Sequence, residues 1–206
     1  MAEFGIPYMG SKGPLAKWVL SKVPKTDNLY DLFGGGFAIS HCAVLSGKWK
    51  NVHYNEIQKD VTDLVKDAIS GKYSYDVFKP DWISRDDFFR LKDLDAYVRY
   101  IWSFGNNGND YLFGKEIEKA KRSAHQAVVF SEFDDLFTKT FGFSSWSIDS
   151  IKQRRLYLKK VTANNKKIKI FNLEQLQRLE RLQQLQQLTQ IEQLANLQYA
   201  SSPMIS

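Results

Sequence analysis

Residues 28–56, NLYDLFGGGFAISHCAVLSGKWKNVHYNE, constrain what this chain can fold into more than any other stretch. Leu29, Tyr30, Leu32 and Phe33 are bulky strand formers, and Gly34, Gly35 and Gly36 stop the strand abruptly. Ala38, Ile39, Cys42, Ala43 and Leu45 then recur at helical spacing until Ser46-Gly47 ends the helix. Val52, His53 and Tyr54 predict a second strand. Glu56 follows it, twenty residues beyond Gly36 (56 − 36 = 20). Nucleotide-binding α/β units place at that separation a carboxylate that accepts bonds from a ribose diol. Three glycines let a ligand approach the backbone, and the next helix offers free N–H groups in its first turn. Taken alone, an ordinary glycine turn between strand and helix explains these residues equally well.

A chain of 206 residues with 43% apolar and 14% aromatic side chains supports one domain plus an appendage. Its one cysteine, Cys42, excludes an internal disulfide or a multi-cysteine zinc site, and suits a reducing cytoplasm. His41, His53 and His125 lack metal-ligand spacing, so no metal is expected. No stretch is long and apolar enough to span a bilayer, and Met1-Ala2-Glu3-Phe4 does not read as a signal peptide. The net charge of +6 permits a polyanionic partner without requiring one.

Ahead of the first strand, Tyr8-Met9-Gly10-Ser11-Lys12-Gly13-Pro14 reads as a loop, with Ser11 as a cap and Pro14 near the first helical turn. Leu15, Trp18, Val19 and Val23 give the following helix one apolar face. The order YMGSK, then DLFGGGFAISHCAVLSG, then YNE closely resembles the Dam-like DNA adenine methyltransferases, phage-encoded members in particular. The resemblance covers about residues 4–172. It implies S-adenosylmethionine as cofactor, held by Tyr8, Gly10, Ser11 and Lys12 of the first loop and by Asp31, Phe33, Gly34, Gly35 and Gly36 of the turn. Glu56 would hold the ribose hydroxyls. The family often carries Phe-x-Gly-x-Gly, and this chain has Phe37 where the last glycine falls.

Beyond Glu56, Val61, Leu64, Val65 and Ile69 mark a helix face within 58–71. A capped helix from Ser84 is expected to bury Phe88, Phe89 and Leu91. Tyr97, Ile101, Trp102 and Phe104 form an aromatic helix face broken at Gly105-Asn106-Asn107-Gly108, and a charged helix runs from Lys115 to about Gln126. This part resembles the segment that reads double-stranded DNA in the family. Asn106 and Asn107 suit base-edge bonding, and Lys115, Lys119, Lys121 and Arg122 suit phosphate. Between Ile151 and Ile170 eight lysines and arginines occur without one acid. Arg154, Arg155 and Lys159 spiral along one flank and add to the DNA-facing set, while Leu156 and Leu158 are available for the core. Lys167 to Phe171 alternates as a strand does.

From Leu173 the composition changes sharply. Leucine or isoleucine stands at 173, 176, 179, 182, 185, 188, 191, 194 and 197, a strict period of three. At about 100° per residue each triplet falls about 60° short of a turn, so the row winds around an α-helix. A 3₁₀ helix would keep the row on one face, but long 3₁₀ runs are uncommon. The expectation is a long helix whose leucines seek a neighbouring surface or another copy of themselves. A low-complexity segment without a specific partner fits as well.

The fold class implied is α/β: a partial Rossmann-like methyltransferase sheet with a helical DNA-recognition insertion and a triplet-repeat helical tail. Residues 1–75 would bind cofactor, 76–165 would form the DNA-recognition region, 166–172 a return strand, 173–200 the leucine segment and 201–206 a tail. The (Asp/Asn/Ser)-Pro-Pro-(Tyr/Phe) tetrapeptide that grips the flipped adenine in the family is missing, since the chain has no Pro-Pro. No catalytic residue is therefore assigned. The implied function is methyl transfer to adenine N6 in a bacterial or phage-infected cytoplasm, by a chain weakly active or inactive alone. The alternative is a non-catalytic DNA-binding or assembly protein that associates through its leucine tail. Without the strand that normally follows in the family, the strand holding Asp31 would have a bare edge, which the leucine tail could cover.

Overall fold

The computed structural model describes residues 4–74, 78–164, 181–182, 184–191 and 197–200. The expected strand at 166–172, the leucines at 173, 176, 179 and 194, and the tail at 201–206 lie outside them. The fold is mixed α/β around a parallel sheet of three strands, β1 (Asn28–Asp31), β2 (Asn51–Asn55) and β3 (Leu197–Ala200), in the order β1-β2-β3. Helix α1 (Ala16–Lys22) precedes β1, and α2 (Ala38–Ser46) joins β1 to β2. Leu29, Val52 and Tyr54 are buried on one side of the sheet, in one cluster with Ala43 and Val44 of α2. Helix α3 (Lys59–Ile69) adds Val61, Leu64, Val65 and Ile69, the face its spacing predicts.

Local chemistry shifts several elements from their expected positions. Strand β1 stops at Asp31, so Leu32 and Phe33 fall in the turn and are exposed, Phe33 at 92%. Around α1, a 3₁₀ turn over Gly13–Leu15 precedes the helix, with the Ser11 hydroxyl accepting from Gly13 N–H. Ala16 and Leu20, one turn apart, are buried instead of Leu15 and Trp18, which face solvent. Ser84 caps α4 (Arg85–Leu91) by accepting from Asp87 N–H. Phe88 of α4 is fully buried, whereas Phe89 is about half exposed.

Helices α5 (Ala96–Ile101) and α6 (Lys115–His125) flank the asparagine loop, and α6 runs on into a π-helical turn over Gln126–Phe130. With α7 (Asp135–Phe141) and α8 (Ile151–Asn164) that turn encloses a second apolar cluster of Ala120, Ala124, Ala127, Val128, Val129, Phe137, Ile151 and Leu158. Leu158 is buried there as its position predicts, but Leu156 is 40% exposed. Among the described residues no helix is long and apolar enough to cross a membrane.

The leucine segment does not continue as one long helix. Residues 181–182 and 184–187 are helical, Leu188–Ile191 is a 3₁₀ turn, and residues 197–200 form β3. Leu182, Leu185, Leu188 and Ile191 are all essentially buried in the core that holds β1 and β2. The change to 3₁₀ geometry explains how: at three residues per turn the triplet slips no further, so Leu188 and Ile191 keep one heading. Polar residues of the segment are bound in too. Arg181 donates to the carbonyls of Ile101 and Ser103 (2.9 and 2.8 Å), and Gln186 to that of Tyr73 (2.8 Å). Nor does any strand of its described residues pair with the edge of β1. The segment delivers β3 to the far side of β2, where Leu197 pairs with Val52. Leu185→Ala, which empties a fully enclosed site, should therefore cost about 2–5 kcal/mol in urea unfolding. An unaffected midpoint would show that the segment packs elsewhere.

Candidate functional site

The site is built where β1 and β2 end. Asp31 closes β1, the turn Gly34–Gly36 crosses the sheet end, and Glu56 follows β2. Gly34 N–H donates to Asn55 carbonyl (2.9 Å), Gly35 N–H to Glu56 Oε2 (2.8 Å), and Tyr54 hydroxyl to Gly35 carbonyl (2.8 Å). Glu56 Oε1 accepts a further bond from Gln58 N–H (2.9 Å). The carboxylate thus holds the turn to the strand end, and its remaining lone pairs are directed outward. A Cβ at Gly34 would sit 2.2 Å from the Tyr54 ring, and one at Gly36 would sit 2.6 Å from Tyr8 Cβ. The glycines are required by close aromatic packing.

Phe37 has a φ of +69°, a left-handed conformation that glycine adopts without strain. The strained residue is held by packing: its ring is fully buried, edge-on to Tyr54 and stacked with His41. Helix α2 therefore starts directly from the turn. Asp31 accepts from Ser40 hydroxyl on that helix (2.7 Å). Burial raises the Asp31 pKa; the Ser40 bonds oppose this, and the nearby Glu56 charge adds to it.

The first loop lies beside the turn. Ile6 N–H donates to Gly36 carbonyl (2.8 Å), and the half-buried Tyr8 ring packs against Tyr100 with centroids 5.4 Å apart. The Tyr8 pKa is raised by burial first, then by Glu56 and Asp60. Tyr100 hydroxyl reaches Gln58 Oε1 (3.2 Å), and burial and then Asp60 push its pKa up to about 12. Asp60 pairs with Arg99 at 3.2 Å. Tyr100, Gln58 and Asp60 escaped the sequence reading; Gln58 and Asp60 had only their nearness to Glu56 as a signal. Lys12 donates back to Gly10 carbonyl (2.8 Å), so its ammonium closes its own loop. Tyr8, Asp31, Gly34, Gly35, Gly36 and Glu56 are thus brought together, with Gly10, Ser11 and Lys12 on the adjoining loop and Phe33 projecting into solvent.

The residues expected to face DNA divide. Lys115, Lys119 and Arg122 are exposed along one face of α6, and Lys159 is exposed on α8. Arg155 is buried, at 5% exposure. Arg154 donates to the Ile148 carbonyl (2.6 Å) and the Val128 carbonyl (3.3 Å), with its guanidinium over Trp146. Arg154 serves the second core by satisfying carbonyls of the π-helical turn and of the loop before α8, while Arg155 and Lys121 are buried, and for these three the DNA-facing expectation is corrected. In the asparagine loop, Asn106 Nδ2 donates to Tyr100 carbonyl (2.8 Å), and Asn107 Oδ1 accepts from Asn109 and Asp110 N–H. These amides shape the loop, and Phe104 stands exposed at its start.

Comparison with protein-family models, with curated proteins and with solved structures finds no match.

His41 sets the acid limit of the site. Its Nδ1 accepts from Gly5 N–H (3.0 Å), while Nε2 is buried without a hydrogen-bond partner. Burial lowers its pKa to about 4 from 6.5. The unfolded chain therefore binds the proton more readily, and stability is full above pH 6.5 and lost as pH falls toward 4. The loss reaches about 3 kcal/mol. Asp31 acts in the opposite sense, since its raised pKa makes folding cost more as pH rises above the ordinary carboxylate value. Denaturant midpoints recorded from pH 7 to pH 4 should fall for the natural chain and fall less steeply for His41→Gln. Parallel curves would assign the acid sensitivity to another group.

Proposed function

We propose that this chain binds S-adenosylmethionine at the glycine turn and is the cofactor-binding and DNA-contacting part of a DNA adenine methyltransferase of the Dam-like type. The observation that carries the reading is the pair of carboxylates, Asp31 and Glu56, on the ends of two neighbouring parallel strands with a glycine turn between them. Ligands of open α/β sheets bind outside the carboxyl ends of the strands. Glu56 is fixed by Gly35 and Gln58 N–H groups, so it meets a ribose diol as a preorganised acceptor. The half-buried Tyr8, backed by the buried Tyr100, supplies flat aromatic surface beside it, and the acidic surroundings suit the positive sulfonium.

The finer fold reading, a partial Rossmann-like sheet, rests on the β1–turn–α2–β2 unit. Among the described residues no strand pairs with the outer edge of β1. The family places there the strand that bears its Pro-Pro motif, which this sequence lacks. Chemistry would be direct transfer from sulfonium to the amino nitrogen, with the protein supplying alignment. In this chain the groups that grip adenine are missing, so cofactor binding outlasts catalysis. DNA contact falls to Lys115, Lys119 and Arg122 on α6, with Lys159 on α8. Self-association through the leucine segment has less support, because four of its apolar side chains are already inside the fold.

Titration calorimetry with S-adenosylmethionine should show one site, weakened at least about tenfold, or 1.4 kcal/mol, by Asp31→Asn or Glu56→Gln. The second substitution keeps an acceptor for Gly35 N–H, which separates ligand loss from loss of the turn. A filter assay with tritiated cofactor and duplex DNA should show little or no transfer by the chain alone. Absence of binding heat would remove the reading, and brisk turnover would remove the claim of incompleteness.

A further inference from the structure

Among the described residues, helices close one side of the sheet. The other side carries Asn28 and Tyr30 from β1 and Asn51, His53 and Asn55 from β2. Parallel sheets are ordinarily covered on both sides and built from near-continuous apolar strands. Here polar and apolar residues alternate, Asn28 is exposed, and Tyr30 keeps 60% of its surface in solvent.

Tyr30 and His53 are partners in the strand register, and their rings stack with centroids 4.3 Å apart and planes 8° from parallel. Because β1 is the edge strand, the other face of the Tyr30 ring looks past the end of the sheet. No further ring lies on it among the described residues. Asn28 Oδ1 accepts from Asn51 Nδ2 (3.0 Å) and meets His53 Nε2 at 3.2 Å, which fixes both neighbours. Asn28 Nδ2 is left as a donor on the strand that carries Tyr30. The segment leading into β1 holds the exposed Lys22 and Lys25, while Lys50 pairs with Asp27 (2.9 Å) and Lys48 donates to the Leu20 and Val23 carbonyls.

We propose that this open side binds an unpaired base of a single-stranded nucleic acid. The base continues the His53–Tyr30 stack on its outer face, Asn28 on the same strand bonds its edge, and the backbone runs past Lys22 and Lys25. A free nucleotide is the lesser fit, because an open platform covers only one ring face and small-ligand sites enclose most of their ligand. A strand gains from several such contacts and from the basic rim. Paired bases in a duplex are stacked on both faces and cannot present one to Tyr30. None of these residues belongs to the carboxylate and glycine site.

Fluorescence anisotropy of a labelled oligodeoxyadenylate at low salt tests the assignment. The natural chain should bind, and Tyr30→Ala should weaken binding about tenfold. Tyr30→Phe, which keeps the ring, should restore it, and His53→Ala should weaken binding independently. Unlabelled single strand should displace the probe where hairpin duplex and adenosine monophosphate at equal base concentration do not. Absence of binding, equal affinity for Tyr30→Ala, or equal displacement by the duplex or the free nucleotide would overturn the proposal.

Discussion

The rings of Tyr8 and Tyr54 lie against a backbone turn that has no side chains of its own, and the Glu56 carboxylate ties that turn to the strand beside it. Everything at the sheet end follows from this contact. The glycines bring the aromatic rings within van der Waals range of the peptide planes, which sets where α2 begins. Where α2 begins sets the bond from Ser40 to Asp31. Phe37 is the cost of such an abrupt start: a bulky residue in a left-handed conformation, held by the rings around it. A single β-carbon at Gly34 would meet an aromatic ring at bonding distance and disturb the whole arrangement.

Charge is distributed differently in the two parts of the protein. Around the glycine turn the ionisable groups are acidic and partly buried, with Asp31, Glu56 and Asp60 acting on one another and on the tyrosines. Around α6 to α8 exposed lysines ring an aromatic core, while Arg155 is buried and Arg154 donates to two carbonyls. A sequence run of one sign therefore contains both solvated cations and structural ones.

The strand, turn, helix and strand of residues 28–56 were legible because glycine punctuation and apolar spacing agree there. So were α3 and the Ser84 cap, whose signals are local. What sequence did not reveal depended on distant partners. The apolar face read on α1 was Leu15 and Trp18, but a 3₁₀ turn rotated the helix so that Ala16 and Leu20 face inward. Phe33 looked like strand because its β propensity is high, yet the glycines end the ladder two residues earlier. Arg154 and Arg155 looked solvent-facing, yet Arg154 donates to a carbonyl of the π-helical turn and Arg155 is buried. The triplet leucines resisted any one helical period because the segment changes from α to 3₁₀ geometry along its length, and then to strand. Glu56 was legible from spacing and Asp31 from the resemblance; Asp60 and Tyr100 come from two other helices, and nothing local marked them.

Val52 in the middle of the sheet is flanked by Leu29 on one side and Leu197 on the other. The second of these neighbours is 145 positions further on (197 − 52 = 145). During synthesis at about 5–20 residues per second, the central strand spends many seconds with one ladder of amides unsatisfied. Contacts this far apart in sequence also slow the search for the native arrangement. Until residue 197 has been made, the side of β2 that faces β3 therefore has no strand to pair with.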